Sequence, residues 1–223
     1  MSSSKEEREK RKAERLRKER ERVEKLCEFE KKYPDCDLIC GIDEAGRGPL
    51  AGPVVAGAVI LPKDARILYI NDSKKLTEKR RNELFEVIAK TAVRWSVASA
   101  SPKRIDEINI LQADYEAMRK AISRLGVVPD LILADAVHIP DIDIRQVSII
   151  HGDALSQSIA AASIMAKVTR DRYMVAMDHL YPEYSFASNK GYGTAAHIAA
   201  LKKYGPCPIH RMTFITKFIG EHD

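Results

Sequence analysis

The stretch that decides the fold is LICGIDEAGRGPLAGPVVAGAVIL, residues 38–61. Its first part is a short apolar run that ends at two acids, which is typical of a buried strand. Residues 54–61 form a second apolar run, rich in β-branched side chains, and predict another strand. Glycines and prolines between the two runs make a rigid connection. We therefore expect the two strands to pair as a hairpin.

Strand and helix patterns alternate along the rest of the chain. Strands are predicted over 93–100, 130–135 and 144–150, and helices over 77–90, 102–125, 155–180 and 195–204. A chain of this kind, with strands first and then strands alternating with helices, favours an α/β domain with a mixed sheet. Residues 5–33 predict a charged helix that ends at Pro34. We expect a helical extension at 1–35 and one α/β domain at 36–223.

Composition excludes several classes of protein. The chain has 223 residues, of which 45% are hydrophobic and 31% charged, enough for a core and a solvated surface. No apolar run approaches the ~18–20 residues that a membrane span needs. Because no signal peptide opens the chain, we expect a cytoplasmic protein. The four cysteines form no C-x-x-C pair, which argues against zinc and predicts free thiols.

The net charge of +5 is concentrated near the N-terminus. Residues 1–26 carry 11 Lys or Arg against seven Glu, whereas the remainder carries 26 basic and 25 acidic residues. A basic arm can raise affinity for phosphates. A solvated helix or a tail without function has the same composition, so the sequence leaves both interpretations open.

Acidic residues follow the predicted strands at the points where the strands end. Asp43 and Glu44 follow the first strand, Asp135 ends a later one, and Asp153 comes after the next. Strand ends are where ligands bind in open α/β sheets. Acids gathered there would repel each other unless a cation compensates. Oxygen-only ligands indicate Mg²⁺ or Mn²⁺ rather than zinc.

Asp171 competes with Asp153 for a place among these ligands. It lies 18 residues after Asp153, on the predicted long helix. A continuous helix would separate the two by roughly 27 Å, too far for one metal pair. We therefore interpret Asp171 as structural, paired with Lys167 one turn earlier.

Residues 43–55, DEAGRGPLAGPVV, closely resemble the opening motif of ribonuclease HII, the bacterial type 2 ribonuclease H. The likeness continues through five further blocks in the order of the chain and spans about residues 37–215. These blocks are DSKKL at 72–76, INILQA at 108–113, IAAASIMAKVTRD at 159–171, KGYGT at 190–194 and HR at 210–211. Six dispersed blocks in order are far more specific than any one alone.

The resemblance implies a ribonuclease H-like mixed sheet flanked by helices, with a C-terminal helical portion. It implies metal ligation by Asp43, Glu44 and Asp135, with Asp153 completing the acidic set. Mn²⁺ or Mg²⁺, two ions during catalysis, would activate water and stabilise the leaving oxygen. The implied enzyme is an endonuclease that hydrolyses RNA in RNA–DNA hybrids and at single ribonucleotides in DNA, leaving 5′-phosphate and 3′-hydroxyl ends.

The resemblance also assigns contacts to the substrate. Gly46, Arg47 and Gly48 would read the ribose 2′-hydroxyl through their backbone, which glycine allows to approach closely. Tyr192 would stack on the sugar next to the cut, and Lys74 would contact phosphate. Without the resemblance, the Gly46–Gly48 loop would also suit a plain turn, Tyr192 a packed side chain, and Lys74 a solvated lysine at the surface.

The sequence departs from the family pattern at two positions near the acids. His151 and Leu155 stand where the family usually has lysines, so two positive charges beside the expected metal site are missing. The acidic ligands themselves are unaffected. His151 could supply charge below neutral pH or serve as a hydrogen-bonded structural histidine.

Two other functions remain compatible with the sequence. One is a different metal-dependent nuclease on the same fold that cuts single strands, because fold does not fix substrate. The other is a binding module for nucleic acid or protein that depends on the N-terminal arm. Nothing in the sequence requires more than a monomer, and it leaves open whether replication proteins recruit the chain.

Overall fold

The computed structural model describes residues 2–219, so the ends of the two predicted domains, at 1 and 220–223, lie outside the described residues. A five-stranded sheet forms the centre of the fold, in the order β3-β2-β1-β4-β5. Its strands are β1 (Ile39–Ala45), β2 (Val54–Ile60), β3 (Arg94–Ala100), β4 (Leu131–Asp135) and β5 (Gln146–Ile149).

The sheet is mixed, as the sequence predicted. Strand β1 pairs antiparallel with β2, and Asp43 lies opposite Gly57. The expected hairpin of these two strands is therefore confirmed. Strand β3 continues the antiparallel half, whereas β4 pairs parallel with β1 and β5 parallel with β4. The chain direction thus brings the carboxyl ends of β1, β4 and β5 to one edge.

Helices surround this sheet and lie before, between and after its strands in the chain. They are α1 (Ser2–Leu26), α2 (Glu28–Lys31), α3 (Glu78–Thr91), α4 (Pro102–Ser123), α5 (Gly152–Leu155), α6 (Gln157–Leu180), α7 (Phe186–Asn189), α8 (Ala195–Tyr204) and α9 (Met212–Ile219). The last three helices form the C-terminal helical portion. The long helix predicted over 155–180 is confirmed as α6, which begins at Gln157 because Ser156 is extended and caps it through its side chain.

The two faces of the sheet are covered by different helices. Helix α4 covers one face, where Met118 and Ile122 pack on Ile42 and Ile132. Helices α3 and α6 cover the other, where α6 lies directly on the strands. A Cβ on Gly41 would lie 2.1 Å from the backbone of Ser158 in α6. Glycine at this position therefore sets how closely α6 packs on β1.

The N-terminal helix is attached to the domain at its C-terminal end. Val23 and Leu26 are buried, and Leu26 belongs to the core cluster around α3 and α6. Glu30 accepts hydrogen bonds from the Ser156 hydroxyl at 2.7 Å and from the backbone N–H of Ser158 at 3.0 Å. Glu30 thereby caps the start of α6. The helix predicted over 5–33 is interrupted at Cys27, between α1 and α2.

Two expectations drawn from composition can be compared with this fold. The cysteines Cys27, Cys36, Cys40 and Cys207 are all free and buried, as predicted. Across the described residues, the helices are either too short or too polar to cross a membrane.

Candidate active site

Sheet register brings the predicted acids to one edge. Ile42 pairs with Ala134 in the parallel β1–β4 ladder, so Asp43 and Asp135 follow at the same level. Asp135 in turn lies opposite Ile149 at the end of β5. Asp153 sits four residues beyond, on the one-turn helix α5. The positions of all three acids thus follow from the pairing of three neighbouring strands.

The three aspartates meet closely enough to share one cation. Asp43, Asp135 and Asp153 each offer an oxygen, and these atoms lie within 4.8 Å of one another; we call these residues the acid group. Asp43 Oδ1 accepts a 2.8 Å hydrogen bond from the backbone N–H of Glu44. Asp135 Oδ1 accepts one of 2.7 Å from the backbone N–H of Gly152. Backbone donors therefore fix the orientation of two of the three carboxylates.

The acid group is poor in solvation and rich in negative charge. Burial raises the pKa of Asp43 well above its usual value, and the neighbouring Glu44 charge raises it further. Burial also raises the pKa of Asp153 to about 6, with Asp72 and Asp135 adding to the effect. Such acids are stabilised in their charged form by a cation.

Glu44 lies beside the acid group rather than within its closest set. Burial raises the pKa of Glu44, the charge of Arg47 opposes this, and Asp135 adds to the rise. Arg47 Nη1 lies 3.7 Å from Glu44 Oε1, and its Nε lies 3.7 Å from Asp114 Oδ2. The half-exposed guanidinium therefore lies between two carboxylates, one of them belonging to a predicted metal ligand.

Asp114 and Asp72 are two acids near the site that the sequence analysis did not identify. Asp114 is fully buried on α4, and neither of its carboxylate oxygens has a hydrogen-bond partner among the described residues. Asp72 is buried and accepts a bond from the Lys74 backbone N–H. Asp72 lies inside the DSKKL block at 72–76, and this block was the sequence feature that could have identified it. Asp114 lies in an unremarkable helical pattern that gave no signal.

Lys74 lies among carboxylates, close enough for the charges of the acid group to act on its amine. Burial favours its neutral amine, but Asp43 and Asp72 outweigh this, and the pKa of Lys74 is raised. Next to it, the hydroxyls of Ser73 and Ser163 lie 2.8 Å apart. This contact joins the short turn at Ser73–Lys75, which carries Lys74, to α6.

Two buried arginines support the loop between β1 and β2. Arg170 donates to the carbonyls of Pro53 and Ala51 and to that of Lys190. Arg211 donates to the carbonyls of Gly52, Arg47 and Gly46. Each guanidinium is thus satisfied by backbone oxygens. Arg170 lies in the block at 159–171 and Arg211 in the block at 210–211. The sequence alone does not reveal that both shape this loop.

The two glycines of the loop differ in their surroundings. Gly46 has φ +98°, and a Cβ there would lie 2.1 Å from Nε of Arg170. Gly48 is exposed, and no atom of the described residues would lie within 4 Å of a Cβ there. Gly46 is therefore required by the fold, whereas the space around Gly48 is open to a ligand.

Tyr192 lies on a second loop that is hydrogen-bonded to the first. The backbone N–H of Leu50 donates to the Gly191 carbonyl at 2.8 Å. Tyr192 is 45% exposed, which leaves its side chain accessible to a substrate. Lys167 Nζ and the Arg170 guanidinium carbon lie 6.0 and 5.9 Å from its centre.

The remaining sequence candidates lie outside the acid group. Asp171 Oδ1 accepts a 2.8 Å bond from Lys167 Nζ, so the predicted pairing is confirmed. His151 is exposed and adopts φ 58° at the start of α5. Leu155 is 44% exposed at the end of that helix. Both replaced lysine positions therefore lie at the surface beside Asp153.

The residues present fit a hard divalent cation. The ligand atoms of the acid group are all carboxylate oxygens, the donors preferred by Mg²⁺ and Mn²⁺. Asp43 and Asp153 have raised pKa values because they are buried near other acids. A bound cation removes that penalty, so the chemistry of the site and its electrostatics agree.

Comparison with known proteins gives one consistent result. A family model described as Ribonuclease HII matches residues 40–217. The chain is 65% identical over 202 residues to Ribonuclease HII of Lachnoclostridium phytofermentans, covering 91% of this chain and 80% of the relative. It superposes on the ribonuclease H2 of Pyrococcus horikoshii with a TM-score of 0.68 and 29% identity, over 82% and 97% of the chains. It superposes on the RNase HII from Archaeoglobus fulgidus, solved in a complex with PCNA, with a TM-score of 0.68 and 28% identity. The match covers 82% of this chain and 98% of that one.

Proposed function

The chain belongs to the ribonuclease HII family, and we propose that its acid group, the Gly46–Gly48 loop and Tyr192 form the active site. As a member of this family, it is an endoribonuclease that cleaves RNA in RNA–DNA hybrids and at single ribonucleotides. Family membership favours this function over a nuclease for single strands and over a module that only binds.

The observation that supports the site is the convergence of Asp43, Asp135 and Asp153 within 4.8 Å. The enzyme uses a divalent metal ion, as its family does. We infer that these three aspartates, together with Glu44, would bind Mg²⁺ or Mn²⁺, two ions during catalysis. The bound metal would lower the pKa of the attacking water and neutralise charge on the phosphate.

The chain's own residues supply orientation and charge around this site. Backbone N–H groups of Glu44 and Gly152 hold the Asp43 and Asp135 carboxylates in place. Lys74, whose pKa is raised by the surrounding acids, keeps its proton and binds a phosphate oxygen of the substrate. Phosphoryl transfer needs little more from a protein than such positioning and neutralisation.

Recognition of ribose is assigned to the loop that carries Gly46, Arg47 and Gly48. Six hydrogen bonds from Arg170 and Arg211 fix neighbouring carbonyls, five of them in the β1–β2 loop. A loop held so firmly can present its backbone to a 2′-hydroxyl without a cost in ordering. The open space at Gly48 lets the sugar approach.

Tyr192 is assigned to the sugar next to the cut. Its exposed ring lies on a loop that is bonded to the Gly46–Gly48 loop through Leu50. The linkage between the loops would then set the distance between 2′-hydroxyl recognition and stacking.

A panel of end-labelled duplexes tests this proposal. It contains a DNA duplex with one ribonucleotide, an RNA–DNA hybrid, an all-DNA duplex and a single strand. We expect cutting of the first two alone, with 5′-phosphate and 3′-hydroxyl ends, because water attacks phosphorus and the 3′-oxygen leaves. Preference for all-DNA or for the single strand would refute the assignment of the Gly46–Gly48 loop.

The active form is proposed to be a monomer. The acid group, the two loops and both supporting arginines all belong to one chain, so no residue of a second copy is required. Analytical ultracentrifugation with and without a hybrid duplex tests this, and activity confined to a dimer would contradict it.

A further inference from the structure

Two buried histidines lie behind Tyr192. His197 on α8 is fully buried, and His210, which precedes α9, is 3% exposed. Their Nε2 atoms lie 3.0 Å apart, so the N–H of one ring must donate a hydrogen bond to the nitrogen of the other. Neither histidine belongs to the acid group or to the loops assigned above, and their pairing needs an explanation.

The two ends of this pair fix the direction of every hydrogen bond in it. At one end, the backbone N–H of Cys207 lies 2.9 Å from Nδ1 of His210, and a backbone N–H can only donate. At the other, Nδ1 of His197 lies 2.9 Å from the Tyr192 carbonyl, which can only accept. A neutral imidazole carries one N–H. His210 is therefore protonated at Nε2 and His197 at Nδ1.

Burial keeps both rings neutral. Burial, together with the nearby His197, lowers the pKa of His210 to about 4. Burial also lowers the pKa of His197, against the effect of its bond to Tyr192. A second proton on either ring would set two N–H groups against each other, so the neutral pair is the arrangement that satisfies all four nitrogens.

We propose that His197 and His210 are positioning residues for Tyr192. They form a one-way chain of hydrogen bonds from the Cys207 backbone through both rings to the Tyr192 carbonyl, and this chain holds the tyrosine ring at the substrate face. The proposal rests on the role given to Tyr192 above. The only other bond to that carbonyl among the described residues comes from Thr194 N–H at 2.8 Å, so His197 supplies its contact with the protein interior.

Two substitutions at His197 separate this role from a general effect on packing. In H197N, the side-chain amide nitrogen falls near the place of Nδ1 and can still donate to the Tyr192 carbonyl. In H197Q, the amide falls near the place of Nε2, so contact with His210 survives but the bond to Tyr192 is lost. Both variants replace a buried ring by an amide, and their melting temperatures report any common loss of stability.

We expect H197Q to raise KM for a duplex with one ribonucleotide roughly tenfold, as the loss of one hydrogen bond implies. We expect H197N to stay within about threefold of the parent, and kcat to change little in either. Equal KM values for the two variants, at equal melting temperature, would overturn the proposal.

Nitrogen chemical shifts test the chain of hydrogen bonds without any substrate. In ¹⁵N-labelled protein, with H197N and H210N used to assign the signals, we expect His210 protonated at Nε2 and His197 at Nδ1. The opposite tautomers would overturn the proposal whatever the kinetics. Y192A distinguishes the two claims. If Y192A leaves KM unchanged, the role of Tyr192 in the proposed function is wrong. The nitrogen shifts alone then decide whether the chain of hydrogen bonds through the two histidines exists.

Discussion

The backbone N–H of Gly152 donates a 2.7 Å hydrogen bond to Oδ1 of Asp135. Gly152 immediately precedes Asp153, so this bond ties the end of β4 to the turn that carries the third acid. The carboxylates of Asp135 and Asp153 are thereby held near each other in spite of their repulsion. This arrangement is stable only if protons or a cation reduce the negative charge.

Stabilisation by Mn²⁺ should therefore grow with pH. The pKa of Asp153 is about 6 in the folded protein, against 3.8 ordinarily, so the folded state binds more protons between these values. The metal-free protein then loses stability as pH rises through this window, and a bound cation restores it. Melting temperatures in EDTA and in excess Mn²⁺ should differ more at about pH 7 than at about pH 5. An equal difference at both would contradict the account.

Alanine at Gly48 and alanine at Gly46 should have opposite consequences. G48A adds a methyl group to open space, so its melting temperature should match the parent, while KM for a single-ribonucleotide duplex should rise at least tenfold. G46A must accept φ +98° and a contact of 2.1 Å with Arg170, so it should lose about 1–3 kcal/mol of stability. Unchanged KM in a folded G48A would remove that glycine from the substrate site.

Substitution of Asp114 by Asn should stabilise the metal-free protein. Burial, together with the charge of Glu44, raises the pKa of Asp114 to about 8. The folded state therefore binds a proton that the unfolded state releases above about pH 4, and stability falls as pH rises towards 8.

The free energy of unfolding of D114N, minus that of the parent, should increase by at most about 1.4 kcal/mol per pH unit over this window. Urea denaturation at two pH values in EDTA measures it. A difference that is constant with pH, or a less stable D114N, would show that the Asp114 carboxylate is paired in solution.

The N-terminal helix should contribute affinity and stability through separate parts. Residues 5–18 carry eight Lys or Arg and four Glu and are almost entirely exposed. Their removal should weaken binding to duplexes by up to about tenfold at low salt and reduce its salt dependence, with kcat preserved. Deletion of 1–31 also removes Val23, Leu26 and the Glu30 cap, and should cost several kcal/mol of stability, on the order of 1.5–3 for each apolar side chain. Loss of cleavage by a folded protein lacking 1–18 would make the arm essential.

Much of the fold follows from the sequence because its signals are local. The strands of residues 38–61 and the acids at strand ends are marked by apolar runs, β-branched side chains and turn residues. Departures arise where tertiary contacts decide. Within the helix predicted over 102–125, Asn109 has φ 66° and interrupts the helical backbone.

The sequence identifies the predicted metal ligands better than it identifies the residues that support the site. Asp43 and Asp135 are visible as acids after apolar runs. Arg170 and Arg211 bind carbonyls of residues far away in the chain, and Asp114 meets Arg47 only through packing of α4 on the sheet. No periodicity or spacing reports such contacts, since they depend on where elements meet.

Cleavage of a DNA duplex with one ribonucleotide by D43N and D171N tests the central claim most directly. Both variants neutralise a buried aspartate, but Asp43 belongs to the acid group, whereas Asp171 pairs with Lys167. We predict that D43N loses more than about 100-fold of the Mn²⁺-dependent rate while still binding the duplex, and that folded D171N retains most of it. Undiminished cleavage by D43N, or cleavage by the parent in EDTA, would contradict the account.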